Sequence, residues 1–360
     1  MPPFLKGEHM TKPVINYQCP SCTGPLHFVG SSQMLECDYC STKYTIEEIE
    51  KHYHTQHNTT TNDKEWDISM KAYSCPSCGA EVICDEQTVA TCCPYCSNPN
   101  IILGKFENEK QPDYVIPFVY SHEDAKNALK EYYADKKFLP KEFTEENKIE
   151  KIQGVYVPFY LFDATVDVNA SFVGTRSMSH RERDFIIKET SYYDVYRQGR
   201  VPFVHIPQDA SVNMPDTHMD AIEPFDYTKI QPFSTAYLPG FLAEKQSVPS
   251  NDCLQKVQER AKNTAIEVIR QNVNGYESLM VKQQNIDYQQ DAIHYALLPV
   301  YLLSTTYKNE NYLFAMNGQT GKFVGNLPIS QSKYWKHFFV VAISVTLVTA
   351  ILFFIMMGGI

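Results

Sequence analysis

Eight cysteines fall into two copies of one pattern. Cys19-Pro20-Ser21-Cys22 is followed, after fourteen residues, by Cys37-Asp38-Tyr39-Cys40. Cys75-Pro76-Ser77-Cys78 is followed, again after fourteen, by Cys93-Pro94-Tyr95-Cys96. Every cysteine of the second copy lies 56 residues beyond its counterpart in the first. Two residues between paired cysteines let a tight turn aim both sulfurs at one ion, and four thiolates complete a tetrahedron. The spacer falls just short of the window of roughly 15–20 residues usual for zinc, but both copies agree. The pattern predicts two structural Zn²⁺ ions. Cys19, Cys22, Cys37 and Cys40 would hold one, and Cys75, Cys78, Cys93 and Cys96 the other. Thr23-Gly24, Gly79 and Ser97 follow three of the pairs and leave room for backbone N–H groups to point at the sulfurs. Strand-like segments, Leu26-His27-Phe28-Val29 and Glu81-Val82-Ile83-Cys84, lie between the pairs, so each unit reads as a small zinc ribbon. Disulfide-stapled modules are the alternative. No secretory signal precedes the cysteines, and a reducing compartment favours metal.

Three cysteines remain. Under the 56-residue shift Cys84 aligns with Phe28, which predicts an apolar core position. Cys92 aligns with Glu36 and should point away from the metal. Cys253 opens a helix far along the chain.

Zinc ribbons suggest nucleic acid, and charge argues against it. The chain carries a net charge of −10. Residues 1–105 hold seven lysines and no arginine against twelve acids, and the first arginine is Arg176. Binding to phosphates needs Lys and Arg to displace counterions, and arginine is the commonest reader of guanine. A membrane-associated nucleic-acid-binding regulator is therefore the second reading.

The other strong signal lies at the far end. From Phe338 the sequence runs FFVVAISVTLVTAILFFIMMGGI, 23 residues without a charge. As a helix it would span about 34 Å, enough for a hydrocarbon core of about 30 Å. Ser344, Thr346 and Thr349 can bond back to helix carbonyls. Lys333, Lys336 and His337 precede the run, and Tyr334-Trp335 mark an interface. The positive-inside tendency predicts a single-pass cell-membrane protein with its N-terminal bulk in the cytoplasm and its C-terminus outward.

These signals predict a fold of two small four-cysteine zinc ribbons, an α+β domain and a single C-terminal transmembrane helix. The expected boundaries are a disordered N-terminus at 1–12, zinc ribbons at 13–50 and 71–105, a linker at 51–70, the α+β domain at 106–330, a juxtamembrane stretch at 331–337 and the membrane helix at 338–358. His52, His54 and His57 fall in the linker and read as solvated. Ser121-His122-Glu123-Asp124 resembles a capping box opening a helix whose stripe is Ala125, Ala128, Leu129 and Tyr132. A second helix would start at an Asn251 N-cap and stop at Gly275, burying Leu254, Val257, Ala261, Ala265 and Val268. Three segments place proline amid apolar residues, at Pro117, Pro158 and Pro299. Proline cannot donate to a ladder, so edge strands or bulges are expected.

No catalytic set stands out. There is no HExxH, GxSxG or Walker loop, and Gly318 to Lys322 fails the phosphate-loop spacing. Four thiolates per ion leave no open position for water. The histidines His180, His205, His218 and His294 read as satisfied or surface residues, so the expectation is that the protein is not an enzyme.

The paired cysteine units, with CPYCSNP, PDYVIPF, GVYVPFYLFDA, IEPFD, TAYLPGFLA and FAMNGQTGKFVGNLP, resemble bacterial membrane-anchored zinc-ribbon proteins of the YdjG type. These are often labelled TFIIB-type zinc ribbon proteins or mislabelled as primosomal or helicase-like. One departure is Cys22-Thr23-Gly24, where the family pattern would place glycine directly after cysteine. The resemblance covers nearly the whole chain. It implies a membrane-tethered interaction or scaffold protein in an envelope-stress complex in the lipid bilayer. The implied partners are membrane proteins, one SPFH-like, and a phage-shock-protein-A-like coat protein.

Overall fold

The computed structural model describes residues 17–57, 70–84, 88, 92–98, 100–104, 111–134, 136–140, 151–308 and 310–356. The expected disordered N-terminus, positions 58–69 of the expected linker and the last two residues of the expected membrane helix lie outside them.

The first cysteine unit holds β1 (Leu26–Val29), β2 (Met34–Cys37) and β3 (Lys43–Tyr44), which form their own antiparallel sheet in the order β1-β2-β3. Helix α1 (Ile46–His57) follows and crosses the boundary expected at residue 50. The reason is a capping box the sequence reading passed over. Glu48 N–H donates to Thr45 Oγ1 at 3.2 Å, and Thr45 N–H donates to Glu48 Oε2 at 2.8 Å. Ile49, fully buried, anchors the helix.

The second unit folds differently. Its strands β4 (Lys71–Ser74), β5 (Glu81–Cys84) and β6 (Ile102–Gly104) belong to the large sheet of the body. The body adds β7 (Tyr114–Val115), α2 (His122–Ala134), β8 (Gln153–Glu182), β9 (Phe185–Asp209), α3 (Asp216–Ile222) and β10 (Gln231–Pro232). Then come β11 (Leu242–Glu244), α4 (Ser250–Gln271), β12 (Ser278–Tyr307), β13 (Glu310–Asn317), β14 (Phe323–Gly325) and α5 (Gln331–Met356). The sheet runs β10-β7-β12-β8-β11-β5-β4-β6, with β9 on β8 and β13 on β12.

Strands β8 and β12 organise everything else. Near residues 155–162 and 295–303 both faces are covered, so these stretches are continuously apolar. Val155, Val157, Phe159 and Leu161 face one core, together with Leu298, Val300 and Leu302. Tyr156, Tyr160 and Phe162 face the other, with Leu297, Tyr301 and Leu303. The two cysteine units join opposite cores. Leu26, Phe28, Leu35 and Ile49 pack on the face of Tyr156, whereas Val82, Cys84, Cys93 and Tyr95 pack on the face of Val157.

Further along, one face is solvated and the pattern alternates. Val166, Val168, Ala170 and Phe172 are buried, while Asp167, Asn169 and Ser171 face outward. Helix α4 covers the buried side. It comes so close to β9 that a Cβ on Gly199 would sit 2.5 Å from Ile269 Cδ1. The α4 ends differ from expectation. The cap position is Pro249, Asn251 lies inside the helix, and the helix stops at Gln271. Gly275 does take a left-handed φ of 88°, but in the turn beyond. The buried stripe is Cys253, Val257, Ala261, Ala265, Ile266 and Ile269, with Val268 exposed. In α2 the Ser121 capping box forms, with Asp124 N–H donating to Ser121 Oγ at 3.1 Å. Ala125 and Leu129 are buried with Tyr133, while Ala128 and Tyr132 are partly buried.

The prolines correct a further expectation. Pro158 and Pro299 sit in the two central strands, not at sheet edges or in the register shifts. Each lies where one neighbouring strand hands over to the next. On β12, Ile116 N–H donates to Leu297 O and Gly318 N–H to Pro299 O, so both residues turn their backbone groups to one side. On that side β7 pairs through Leu297 and β13 begins at Val300. On β8, β11 pairs with Val155 and Tyr156, and β9 takes over at Phe159. The missing N–H falls in the gap, where no ladder bond is due.

Candidate metal centres

Four backbone turns of the same form hold the eight cysteines. In each, the N–H four residues after the first cysteine donates to that cysteine's carbonyl. The bonds are Thr23 to Cys19 (2.8 Å), Ser41 to Cys37 (2.9 Å), Gly79 to Cys75 (2.9 Å) and Ser97 to Cys93 (2.9 Å). The donor residue is left-handed every time, with φ of 58°, 55°, 78° and 57°. Only Gly79 adopts this conformation without a Cβ penalty. Thr23 therefore fills the position where glycine is expected, and the turn forms regardless. Ser41 completes the set, a fourth turn residue the sequence reading missed. Gly24 has another task. A Cβ there would lie 2.8 Å from the Tyr39 ring and 3.1 Å from Cys37 Sγ, so glycine lets the chain pass beside the sulfur.

The structure brings Cys19, Cys22, Cys37 and Cys40 into one cluster and Cys75, Cys78, Cys93 and Cys96 into a second, with the sulfurs of each within 4.8 Å of one another. In the first, Cys19 and Cys40 sulfurs are 3.5 Å apart and those of Cys22 and Cys37 3.4 Å. In the second, the Cys75–Cys96 and Cys78–Cys93 separations are both 3.6 Å. A tetrahedral ion with thiolate bonds of about 2.3 Å places its sulfurs about 3.8 Å apart. These sets fit such an ion, and each supplies all four ligands.

The surroundings favour thiolate at chosen sulfurs. Burial would raise the Cys19 thiol, but hydrogen bonds from Tyr44 and from the backbone N–H groups of Ser21 and Cys22 bring it down to about 6. Burial would likewise raise Cys75, and the N–H groups of Cys78 and Ser77 bring it down to about 7. Cys78 is pushed up to about 11 and Cys93 further, in both cases by burial first. A divalent ion bound by either set would let all four of its sulfurs ionise. Thr42 Oγ1 lies 3.1 Å from Cys40 Sγ, and Asn98 Nδ2 donates to Cys75 Sγ at 3.8 Å.

The clusters are fastened to the body by different means. On the first, Phe28 N–H donates to Pro239 O at 3.0 Å, and Gln33 Nε2 to Phe118 O at 2.8 Å. The Phe28 ring meets Tyr237 edge-on at 5.3 Å. On the second, β5 pairs with β11, and Tyr95 reaches across to a buried acid. Its hydroxyl donates to Glu244 Oε2 at 2.6 Å, while Ser211 Oγ (2.7 Å) and Asn213 Nδ2 (2.8 Å) donate to Oε1. Glu244 is 1 % exposed. Ser97 Oγ also donates to Ser304 O at 2.6 Å.

The remaining cysteines stand apart from both clusters. Cys84 is fully buried in β5 and donates to Thr88 O at 3.2 Å. Cys92 Sγ accepts from Gln153 Nε2 at 3.5 Å. Cys253 is buried in the first turn of α4, and burial pushes its thiol up to about 11. The four histidines do not form one site. His294 Nε2 lies 3.4 Å from Asp163 Oδ2, and the His205 backbone N–H donates to Oδ1 of the same residue at 2.8 Å. His218 lies against Leu313 O, and His180 is near the tip of the β8–β9 hairpin.

Helix α5 bears on the other candidate function. Gln331–Phe354 is long and apolar enough to cross a membrane; its most apolar 18-residue window has a mean hydropathy of 2.4, and none of that window is buried within the chain. Its hydroxyls bond back to carbonyls one turn earlier: Ser344 to Val340 (2.7 Å), Thr346 to Ala342 (2.7 Å) and Thr349 to Val345 (2.9 Å). The helix therefore presents no free hydroxyl donor along this stretch.

The chain is 32 % identical over 346 residues to the uncharacterized protein YdjG of Bacillus subtilis (strain 168), covering 96 % of this chain and 99 % of that one. No family model matches the chain. No solved structure matches it.

Proposed function

The chain belongs to the family of the Bacillus subtilis protein YdjG, and from that premise we propose that it is a membrane-tethered, non-catalytic scaffold carrying two structural zinc ions. The observation that carries this reading is α5, an apolar helix of membrane-spanning length left uncovered by the rest of the chain. In water such a face would cost about 25 cal/mol for each Å² of apolar surface. In a bilayer that penalty vanishes, and the helix's backbone groups are satisfied internally. Lys333, Lys336 and His337 keep the preceding end, and with it the bulk of the chain, on the cytoplasmic side. Reduced thiols there suit zinc, whose tetrahedral preference matches the two sulfur sets. Four protein ligands per ion leave no place for substrate, which supports a structural role.

The scaffold reading draws on the long β8–β9–β12 arm. It projects from the doubly covered part of the sheet and ends in a hairpin where Met178, Phe185 and Ile186 are all more than 70 % exposed. Exposed apolar side chains grouped at a strand end suit a protein partner. The partners proposed are other membrane proteins of an envelope-stress complex, SPFH-like and phage-shock-protein-A-like. Affinity purification from solubilised membranes tests this. Replacing Phe185 and Ile186 with glutamate should abolish partner recovery and leave membrane fractionation intact. Undiminished recovery would count against the hairpin tip as the partner surface, and full extraction by alkaline carbonate would count against the anchor.

A further inference from the structure

A cleft lies at the foot of the apolar helix. The turn after α2 supplies Phe138 and Leu139, and the segment entering α5 supplies Leu327, Pro328 and Ile329, around a volume of about 300 Å³. Both walls are tied to the helix itself. Ser330 N–H donates to Phe138 O at 2.8 Å, and Lys333 Nζ donates to Leu139 O at 2.6 Å. The Phe138 ring meets Tyr334 at 5.8 Å and His337 at 5.5 Å. The cleft is thus fixed relative to the first two turns of α5, at the level of Tyr334 and Trp335. Aromatic rings of this kind sit at headgroup depth in membrane proteins.

The lining and the mouth differ in chemistry. The walls are apolar, and Ile329 is 62 % exposed at the opening. Lys136 and Lys137 stand at the mouth, both exposed. Lys333 and Lys336 follow on successive turns of α5. In a chain of net charge −10, positions 136–140 and 327–337 contain these four lysines and not one acid. An apolar slot with a cationic rim fits an amphiphile with an anionic head. The bilayer proposed around α5 supplies that class of molecule at this depth.

We propose that this cleft is a binding site for one anionic phospholipid. Its phosphate would lie against Lys136 and Lys137, and its acyl chain would run along Leu327 and Ile329 toward Phe338. The inference rests on the membrane reading of α5 and deepens it, since a lipid held in a cleft already tied to the helix would set the angle between body and bilayer.

The test is native mass spectrometry of the full chain in mild detergent, titrated with phosphatidylglycerol and, separately, phosphatidylcholine. The same preparations are floated with phosphatidylcholine vesicles. The expected result is one phosphatidylglycerol per chain, retained in preference to phosphatidylcholine. Each surface lysine contributes about fivefold to attraction by anionic lipid, so K136Q/K137Q should weaken retention roughly thirtyfold. Ile329→Glu should weaken it as well, through the apolar wall. Equal binding of both lipids, or no change in K136Q/K137Q, would overturn the site while flotation still upheld the anchor. Displacement by inorganic phosphate alone would assign the lysines to a free anion and also overturn it. A chain that fails to float would remove the anchor and the lipid site together.

Discussion

The two cysteine units share a spacing, a turn geometry and a ligand set, yet one is appended to the body and the other is built into it. The first closes its strands into a private three-stranded sheet and docks through side chains and a few hydrogen bonds. The second lends β4, β5 and β6 to the main sheet and places Tyr95, between two of its cysteines, on the buried Glu244. A metal site is a local device, but what its loss costs depends on what its strands are bonded to. Metal lost from the first unit should be a local event. Metal lost from the second should reach the core around Val157 and Leu298.

The comparison breaks most visibly when ligands are removed. Structural zinc contributes about 10–16 kcal/mol in isolated fingers, as much as an entire domain's stability. C75S/C78S is expected to abolish cooperative unfolding of the body, read by hydrogen exchange in β11 and β12. C19S/C22S should leave that protection intact and expose only residues 17–57. Next in size is Phe28→Ala, which empties the contact with Tyr237 and should cost about 3–5 kcal/mol. The loss should show as faster proteolysis within the first unit, with the body's melting temperature unchanged.

Tyr95→Phe sharpens the other side. It removes one of three donors from a buried carboxylate and should cost about 1–3 kcal/mol, this time from the body. The same acid sets a pH dependence. Burial raises the Glu244 pKa, against the lowering effect of Asn213, Ser211 and Tyr95. A raised acid holds its proton more tightly in the folded state, so stability falls as pH rises through its folded pKa. Denaturant titrations across a pH series should show stability falling as pH rises, and Glu244→Gln, which mimics the neutral acid, should flatten that slope. The smallest effects belong to the left-handed turn residues. Thr23→Gly and Ser41→Gly relieve a Cβ penalty of about 1 kcal/mol each, so each should modestly slow metal loss from the first unit to a chelator.

Much of the site was legible because its determinants are local. Cysteine spacing fixed both sulfur sets, Ser121 and Asp124 marked the start of α2, and the alternation from Val166 to Phe172 marked a strand covered on one side. The hydroxyls of α5 bond as their spacing implied. What was hidden is non-local. Strand β11 is three residues long and carries no periodic signal, yet its pairing with β5 decides that the second unit is part of the body. Pro158 and Pro299 argue for edges because proline cannot donate to a ladder, but each missing N–H falls in the gap between two successive partner strands. Ser41 was passed over because nothing in its identity demands a positive φ; the turn around Cys37 and Cys40 imposes it. Thr45 and Glu48 carry a readable capping box, but the polar, threonine-rich run that follows reads as a linker and masks the helix.

The asymmetry between the two units is the claim most open to direct test. The measurement is stepwise metal removal by chelator, with native mass spectrometry counting ions and hydrogen exchange following β11 and β12 in the same samples. The account predicts that species retaining only the second unit's ion keep full protection there, and that protection collapses when the last ion leaves. Protection that survives complete metal loss, or that falls with the first unit's ion, would contradict it.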